Sequence, residues 1–208
     1  MKQQPNFIVR IANEGDISYV PEILEEIELS AKERGTGIAK RSATYVEEKI
    51  REGKAIIAFS DEGQWAGFCY IETWSNKEYV ANSGLIVAHA FRKDGLAKKI
   101  KEKTFQHSRE RFPDAKIFGL TTGLAVMKIN SELGYRPVPY SELTQDDVFW
   151  KGCQSCVNYE ILKSKDRSNC LCTAMLYDPK WEEKKKVEID DTTLFSKFKK
   201  IKKLIWKK

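Results

Sequence analysis

The sequence predicts an α/β domain built on a mixed central β-sheet flanked by helices, followed by a Cys-rich C-terminal extension. Three observations carry this. Apolar residues recur with strand and helix periods in the order β-α-α-β-β-β-α-β-α-β from Phe7 to about Leu143. Of the 208 residues, 41% are hydrophobic and 32% charged, which supplies a core and argues against global disorder. No apolar run approaches the ~18 residues of a membrane span, and Met1–Asn6 lacks the apolar stretch of a secretory signal. A cytoplasmic location is expected.

Each element has a local cause. Phe7–Ala12 (FIVRIA) reads as a strand. After Asp16, the apolar residues Val20, Ile23, Leu24 and Ile27 share one helical face, with Pro21 tolerated in the first turn. Gly35 and Gly37 end that helix, and Ser42 is the N-cap expected for a second one through Val46 and Ile50, ending near Gly53. Ala55–Phe59 and Trp65–Thr73 read as an antiparallel pair around the turn residues Asp61, Glu62 and Gly63. Val80–Val87 is a further strand. A helix opens at Arg92–Ala97, buries Leu96, Ile100 and Phe105, and stops at Pro113. Lys116–Thr121 is a strand, and Ala125–Leu133 a short helix with Gly134 in the C′ position. Tyr135–Leu143 starts an irregular or strand-like stretch. The expected division is 1–145 for the α/β domain, 146–180 for the Cys-rich extension and 181–208 for a charged linker and basic amphipathic tail.

The net charge of +6 comes from the C-terminal end. Residues 196–208 hold seven lysines and no acid, which leaves 29 basic against 30 acidic groups in residues 1–195. A body that is nearly neutral is not a nucleic-acid-binding surface, so no nucleic-acid partner is expected.

Gly84–Ile100 (GLIVAHAFRKDGLAKKI) carries the chemistry. A buried strand ends at Val87, a loop holds Arg92, Lys93, Asp94, Gly95, Leu96 and Ala97, and a helix starts at once. Free N–H groups at a helix start, with the positive end of the helix dipole, form an anion site. Gly95 and Ala97 keep bulk away from it, and Arg92 and Lys93 add charge. Neither the dinucleotide fingerprint nor the ATP loop fits, because the glycines and lysine they need are absent.

This stretch resembles the acyl-coenzyme-A-binding motif of the GNAT acyltransferase superfamily, [QR]-x-x-G-x-[GA] between a central strand and a helix. The element order matches from Phe7 to about Tyr140, and Gly134-Tyr135 is similar to the family's "GF" signature. Gly37–Ser42 (GIAKRS), Lys116–Thr122 (KIFGLTT) and Leu133–Val138 (LGYRPV) carry a nearer resemblance, over about residues 8–150, to the acyltransferase domain of N-acetylglutamate synthases. The longer synthases also have an amino-acid-kinase-like domain, and the Cys segment has no counterpart in them.

The resemblance implies an acyl-CoA-dependent N-acetyltransferase with acetyl-CoA, or another short acyl-CoA, as co-substrate. An amine of a small-molecule acceptor, glutamate foremost, attacks the thioester directly, which would place the reaction in arginine biosynthesis. The pantetheine amides would add like a strand along Leu85, Ile86 and Val87, which also supply the oxyanion donor. The diphosphate would meet Arg92 through Ala97. Many members carry a tyrosine where Asn130 stands here. Either Asn130 only orients the thioester, or Tyr135 or water protonates the thiolate. For the base, Glu72 and Glu78 are the carboxylates within reach, with a water chain as the alternative; Glu72 shares a strand face with Phe68 and Tyr70. Lys40 and Arg41 match the basic pair near the acceptor carboxylates in the synthases, and Thr121 and Thr122 would face the acceptor.

Cys153, Cys156, Cys170 and Cys172 form C-x2-C-x13-C-x-C, a spacing that could close a tetrahedral zinc site, with a redox pair at Cys153 and Cys156 as the rival reading. Cys69 alternates onto the inner face of a strand as core filler. Leu194, Phe195, Phe198, Ile201, Leu204 and Ile205 fall on one helical face with lysines opposite, a short helix too weak for stable membrane anchoring. A homodimer is compatible with this reading.

Overall fold

The computed structural model describes residues 6–35 and 40–181. Residues 36–39, just before Lys40, and residues 182–208, which hold the expected amphipathic tail, lie outside the described residues. Seven strands form one sheet in the order β1-β2-β3-β4-β5-β7-β6. They are β1 (Phe7–Ile11), β2 (Ala55–Ser60), β3 (Trp65–Trp74), β4 (Tyr79–Val87), β5 (Lys116–Thr121), β6 (Arg136–Pro137) and β7 (Thr173–Tyr177). Every neighbouring pair is antiparallel except β4 and β5. That parallel pair needs a crossover, and α3 (Leu96–Arg111) supplies it.

Period-2 alternation divides the core. Phe68, Tyr70 and Ile86 face α1 (Val20–Arg34) and α2 (Ala43–Arg51), packing with Ile23, Ile27, Val46 and Ile50. On the opposite face Ile56, Ala66 and Cys69 pack on Leu96 and Ile100 of α3. Cys69 is therefore the core residue expected. Farther along the sheet, Ile71, Val80, Ile117, Tyr135, Met175 and Tyr177 close a third cluster. Ser42 caps α2 through Tyr45 N–H, and Gly35, at φ 57°, ends α1, both as the sequence predicts. No helix among the described residues is long and apolar enough to cross a membrane.

Asp16 lies in a turn of its own before α1. A 3-10 turn, Glu14–Tyr19, precedes that helix with Asn13 as its cap. Asp16 completes the capping box through Asn13 N–H at 2.8 Å, and Arg10 forks onto both its oxygens at 2.7 Å. It is 4% exposed. The Arg10 hydrogen bond, outweighing the cost of burial, holds its carboxyl pKa below the usual value. Because the folded-state pKa is depressed, this stabilisation is full above the unfolded value of about 4 and is lost as pH falls through the folded value. Asp16→Asn is expected to cost about 2–3 kcal/mol at neutral pH. Urea unfolding should show the gap from wild type closing in acid.

The expected boundary at residue 145 is displaced. The compact unit runs through Tyr177, because β7 enters the sheet between β5 and β6. Along the chain α4 (Leu124–Glu132) lies between β5 and β6, and α5 (Asp147–Lys151) and α6 (Tyr159–Ser164) lie between β6 and β7. Phe149 of α5 packs edge-on against Trp74 and Phe118, while Trp150 donates to Thr144 O at 2.9 Å. The Cys-bearing segment is thus an excursion of the domain between two of its strands.

Candidate active site

The site begins where two parallel strands part. β4 pairs with β5 only at Tyr79–Lys116, Val80–Ile117 and Ala81–Phe118, yet β4 continues to Val87. From Asn82 onward its edge toward β5 is unpaired, and the far side of β5 is taken by β7. A bulge lies inside this unpaired length. Tyr70 stands opposite Ser83 and Phe68 opposite Ile86, so Cys69 faces both Gly84 and Leu85. Gly84 has φ +67°, and a Cβ there would sit 2.4 Å from Cε1 of Tyr70. The bulge re-aims the backbone of Leu85–Val87 while the Ile86 side chain packs on the α1 and α2 side and Leu85 and Val87 pack on the α3 side.

The open edge leads into the expected anion loop. Lys93 and Gly95 have φ of 75° and 78°, and no side chain caps α3. Lys98 and Lys99 N–H both turn back to Gly95 O. Among the described residues nothing accepts the N–H groups of Lys93, Asp94, Gly95, Leu96 or Ala97. Five such donors stand at a helix start, two of them on left-handed residues, and unaccepted N–H groups so placed can receive an anion. Leu96 gives its side chain to the core, so only its N–H serves the loop.

Arg92 departs from the expected role. Its guanidinium pairs with Glu26 at 2.6 Å and Glu33 at 2.9 Å, also reaches Ser30 Oγ, and its Nε donates to Val87 O at 3.2 Å. Two carboxylates neutralise it, so it fastens the loop to α1 instead of adding a free cation. Nearby, Lys98 pairs with Glu132, and Lys99 lies over the ring of Phe7. Lys93 is exposed. Arg92→Ala and Glu26→Gln should both weaken acyl-CoA binding about three- to tenfold, as a calorimetric titration would read. Tighter binding by Glu26→Gln would instead mean that a freed Arg92 reaches phosphate.

On the α1 and α2 face stands Arg41. Arg41 Nε donates to Tyr70 OH at 2.8 Å and Nη1 to Lys40 O at 3.1 Å, with the guanidinium 5.5 Å from the Tyr45 ring centroid. Its Nη2 has no hydrogen-bond partner among the described residues. Arg41 therefore sits one tyrosine ring from the Gly84 bulge with part of its fork unspent. Lys40 is exposed, and its backbone N–H donates to Ser155 Oγ at 3.0 Å. At the end of β5, Thr121 Oγ1 accepts from Gly123 N–H at 3.0 Å, and Thr122 is half-exposed.

The expected base and acid are both committed elsewhere. Glu72 Oε2 accepts from Tyr45 OH at 2.6 Å and Lys49 Nζ at 2.7 Å, while Oε1 lies 3.9 Å from Lys54 Nζ. A carboxylate held by two ammonium groups and a phenol is an ion-pair anchor. Glu78 is exposed in the β3–β4 turn. Tyr135 is 2% exposed between α3 and the sheet, and its OH donates to Asn82 Oδ1 at 2.9 Å. Burial drives its pKa well up, so it keeps that proton as a core residue. Asn82 in turn donates to Ser108 Oγ at 2.9 Å and accepts from Lys101 Nζ at 3.5 Å. Burial holds the Lys101 ammonium below the usual lysine value. Asn130 is 1% exposed on α4, and its Oδ1 has no partner among the described residues.

The zinc expectation is corrected. Among the described residues no three His, Cys, Asp or Glu side chains converge on a point that could hold a metal ion. All four late cysteines are free thiols. Burial, with smaller contributions from neighbouring thiols, pushes Cys153 up to about 11 and Cys172 up to about 12, so both stay protonated at neutral pH.

Three features of the site escaped the sequence reading: the Gly84 bulge, the Tyr70 hydroxyl under Arg41, and the buried Asn82–Lys101–Tyr135 network. A glycine inside a strand pattern is the sequence signal for the first. The other two join residues distant in the chain and leave no local mark.

No protein-family model matches this chain, and no curated protein does. Solved structures match it well. The N-acetylglutamate synthase of Neisseria gonorrhoeae, complexed with coenzyme A and N-acetyl-glutamate, superposes with TM-score 0.60 at 19% identity, over 85% of this chain and 36% of the synthase chain. This chain therefore spans about a third of that synthase. Rv2747 from Mycobacterium tuberculosis, in complex with CoA, matches at TM-score 0.59 and 17% identity, over 82% of this chain and 98% of that one. An acetyltransferase of the GNAT family from Staphylococcus aureus Mu50 matches at 0.53 and 19%, over 67% and 90%. The fold is that of the GNAT acetyltransferases.

Proposed function

We propose that the chain is an acyl-CoA-dependent N-acyltransferase that acylates the amine of a small, carboxylate-bearing amino acid, glutamate foremost. The observation that carries this reading is the unpaired β4 edge running from Asn82 through the Gly84 bulge into five unspent N–H groups at the start of α3. An extended chain bearing amides can pair with the edge, and a diphosphate at its far end can take the N–H row. Acyl-CoA has that layout. The CoA complexes of two structural neighbours support the same choice.

In this reading the acceptor carboxylate docks on Arg41, whose unspent Nη2 offers the second tine of a fork. The neutral amine attacks the thioester carbonyl beside the bulge. Backbone N–H groups of Leu85–Val87 stabilise the oxyanion, and collapse of the tetrahedral intermediate expels the CoA thiolate. With Glu72 and Tyr135 committed, water takes the proton of the acceptor ammonium before attack and a second proton from the same nitrogen as the amide forms, and the thiolate takes its proton from water. Rate should then rise with pH until the acceptor ammonium itself titrates, with no plateau set by a carboxylate.

Free-thiol release from acetyl-CoA and then succinyl-CoA, with a panel of amino acids, tests the reading. Release that depends on glutamate supports it; release only with amines lacking a carboxylate removes the Arg41 assignment. The commitment of both Glu72 and Tyr135 favours one rival, a non-catalytic acyl-CoA-binding module. Tight cofactor binding with no release for any amine would select it.

A further inference from the structure

We infer that Ser155 is a positioning residue for the acceptor: its hydroxyl seats the Lys40–Arg41 segment, so the Cys-bearing excursion between β6 and β7 sets how Arg41 meets the acceptor carboxylate. The inference rests on the reading of Arg41 as the group that takes that carboxylate, and it names what holds Arg41 in place.

The contact joins parts of the chain 115 residues apart. Lys40 N–H donates to Ser155 Oγ at 3.0 Å. Two residues on, Ser42 Oγ accepts Tyr45 N–H at 3.2 Å as the cap of α2. Arg41 is therefore strung between two fixed backbone positions. Its side chain is braced by Tyr70 OH at 2.8 Å and by Lys40 O, which accepts from Nη1 at 3.1 Å. Ser155 thus acts through a single residue, holding Lys40 by its N–H while Lys40 holds the guanidinium by its carbonyl. A fork that must meet a carboxylate in one plane gains from such bracing.

Ser155 is itself held firmly. It ends the 3-10 turn Gly152–Ser155, which follows α5 directly and is closed by Cys156 N–H on Cys153 O at 2.9 Å. Within α5, Trp150 stacks on Tyr140 with ring centroids 5.6 Å apart and donates to Thr144 O, while Phe149 meets Trp74 and Phe118. Thr144 Oγ1 shares a 2.8 Å hydrogen bond with Ser75 Oγ, just after β3. Aromatic packing and these bonds tie the turn to β3 and β5, the strands that flank β4. The Ser155 side chain, by contrast, is exposed and packs in no core. Its hydroxyl carries the position of the excursion to Lys40, and removing it costs that one hydrogen bond.

The test is made on the full-length protein. Ser155→Ala should raise the KM for glutamate about three- to tenfold, as for one lost hydrogen bond, with kcat, the acyl-CoA Kd and the urea midpoint unchanged. Ser155→Thr keeps the hydroxyl and should restore the wild-type KM. Gln154→Ala, an exposed neighbour in the same turn, should leave KM as it is. Hydrogen exchange at the Lys40 amide should quicken in Ser155→Ala alone. An unaltered KM in Ser155→Ala, a loss of kcat in place of a KM change, no rescue by Ser155→Thr, or an equal KM rise in Gln154→Ala overturns the proposal. If the wild-type protein acylates no amine, the functional reading fails separately, and the Lys40 amide decides whether Ser155 seats the segment: faster exchange in Ser155→Ala supports it, and unchanged exchange overturns it.

Discussion

Gly84→Ala is expected to destabilise the domain by about 2–5 kcal/mol and to abolish acyl transfer, because two independent costs fall on one Cβ. The φ of +67° places an L-residue in the left-handed region, at a cost of about 1–2 kcal/mol. The Cβ would also lie 2.4 Å from Cε1 and 2.8 Å from Cδ1 of Tyr70, a ring that is fully buried and bonded to Arg41. Forcing such an overlap into a packed core costs about 1–3 kcal/mol more. Relief comes from flattening the bulge or from moving Tyr70. The first withdraws the Leu85–Val87 backbone from the cleft, and the second removes the seat of Arg41. Gly63→Ala is the control. Gly63 has φ +81° but nothing within 4 Å, so only the conformational cost applies, and activity should survive. Urea unfolding with thiol-release kinetics separates the two variants; equal stability losses would show that the ring overlap relaxes freely.

Arg41→Ala is expected to raise the acceptor KM about a hundredfold, from about 3 kcal/mol for removing one partner of a desolvated charge pair. The acyl-CoA Kd should not move, since the loop N–H row and the β4 edge lie on other elements. Arg41→Lys keeps the charge but loses both the fork and the Nε bond to Tyr70, so it should recover only part of the affinity. Steady-state kinetics with glutamate beside a calorimetric cofactor titration reads both. A matched loss of kcat with unchanged KM would mean that Arg41 acts on the transition state and not on acceptor binding.

The elements up to α4 were legible because each one repeats its burial pattern locally. Val20, Ile23 and Ile27 of α1 all reach the core, and the helix expected over Ala125–Leu133 is found at Leu124–Glu132, one residue earlier. The anion loop was legible for the same reason: strand end, small residues and helix start are contiguous in the chain. β7 was not. Thr173–Tyr177 is a short apolar run directly after Cys172, and its place between β5 and β6 is a long-range pairing that no local period announces. The roles of single charged residues failed for a related reason. Arg92 is neutralised by glutamates 59 and 66 residues away, and Glu72 by Lys49 and Lys54 from α2 and the turn after it. Charge in a sequence is visible, whereas its pairing belongs to the tertiary structure. The cysteines show the converse: a spacing that could suit zinc does not bring three ligands to one point.

Amide hydrogen exchange with and without acetyl-CoA tests the central claim most directly, since the unpaired β4 edge and the loop before α3 are both made of backbone N–H groups. The account predicts that acetyl-CoA slows exchange in two stretches at once, Leu85–Val87 and Lys93–Ala97. It also predicts that coenzyme A alone protects the loop as strongly as acetyl-CoA does. Binding that leaves both stretches exchanging as in the free protein would contradict the account, and would move the cofactor off this edge of the sheet.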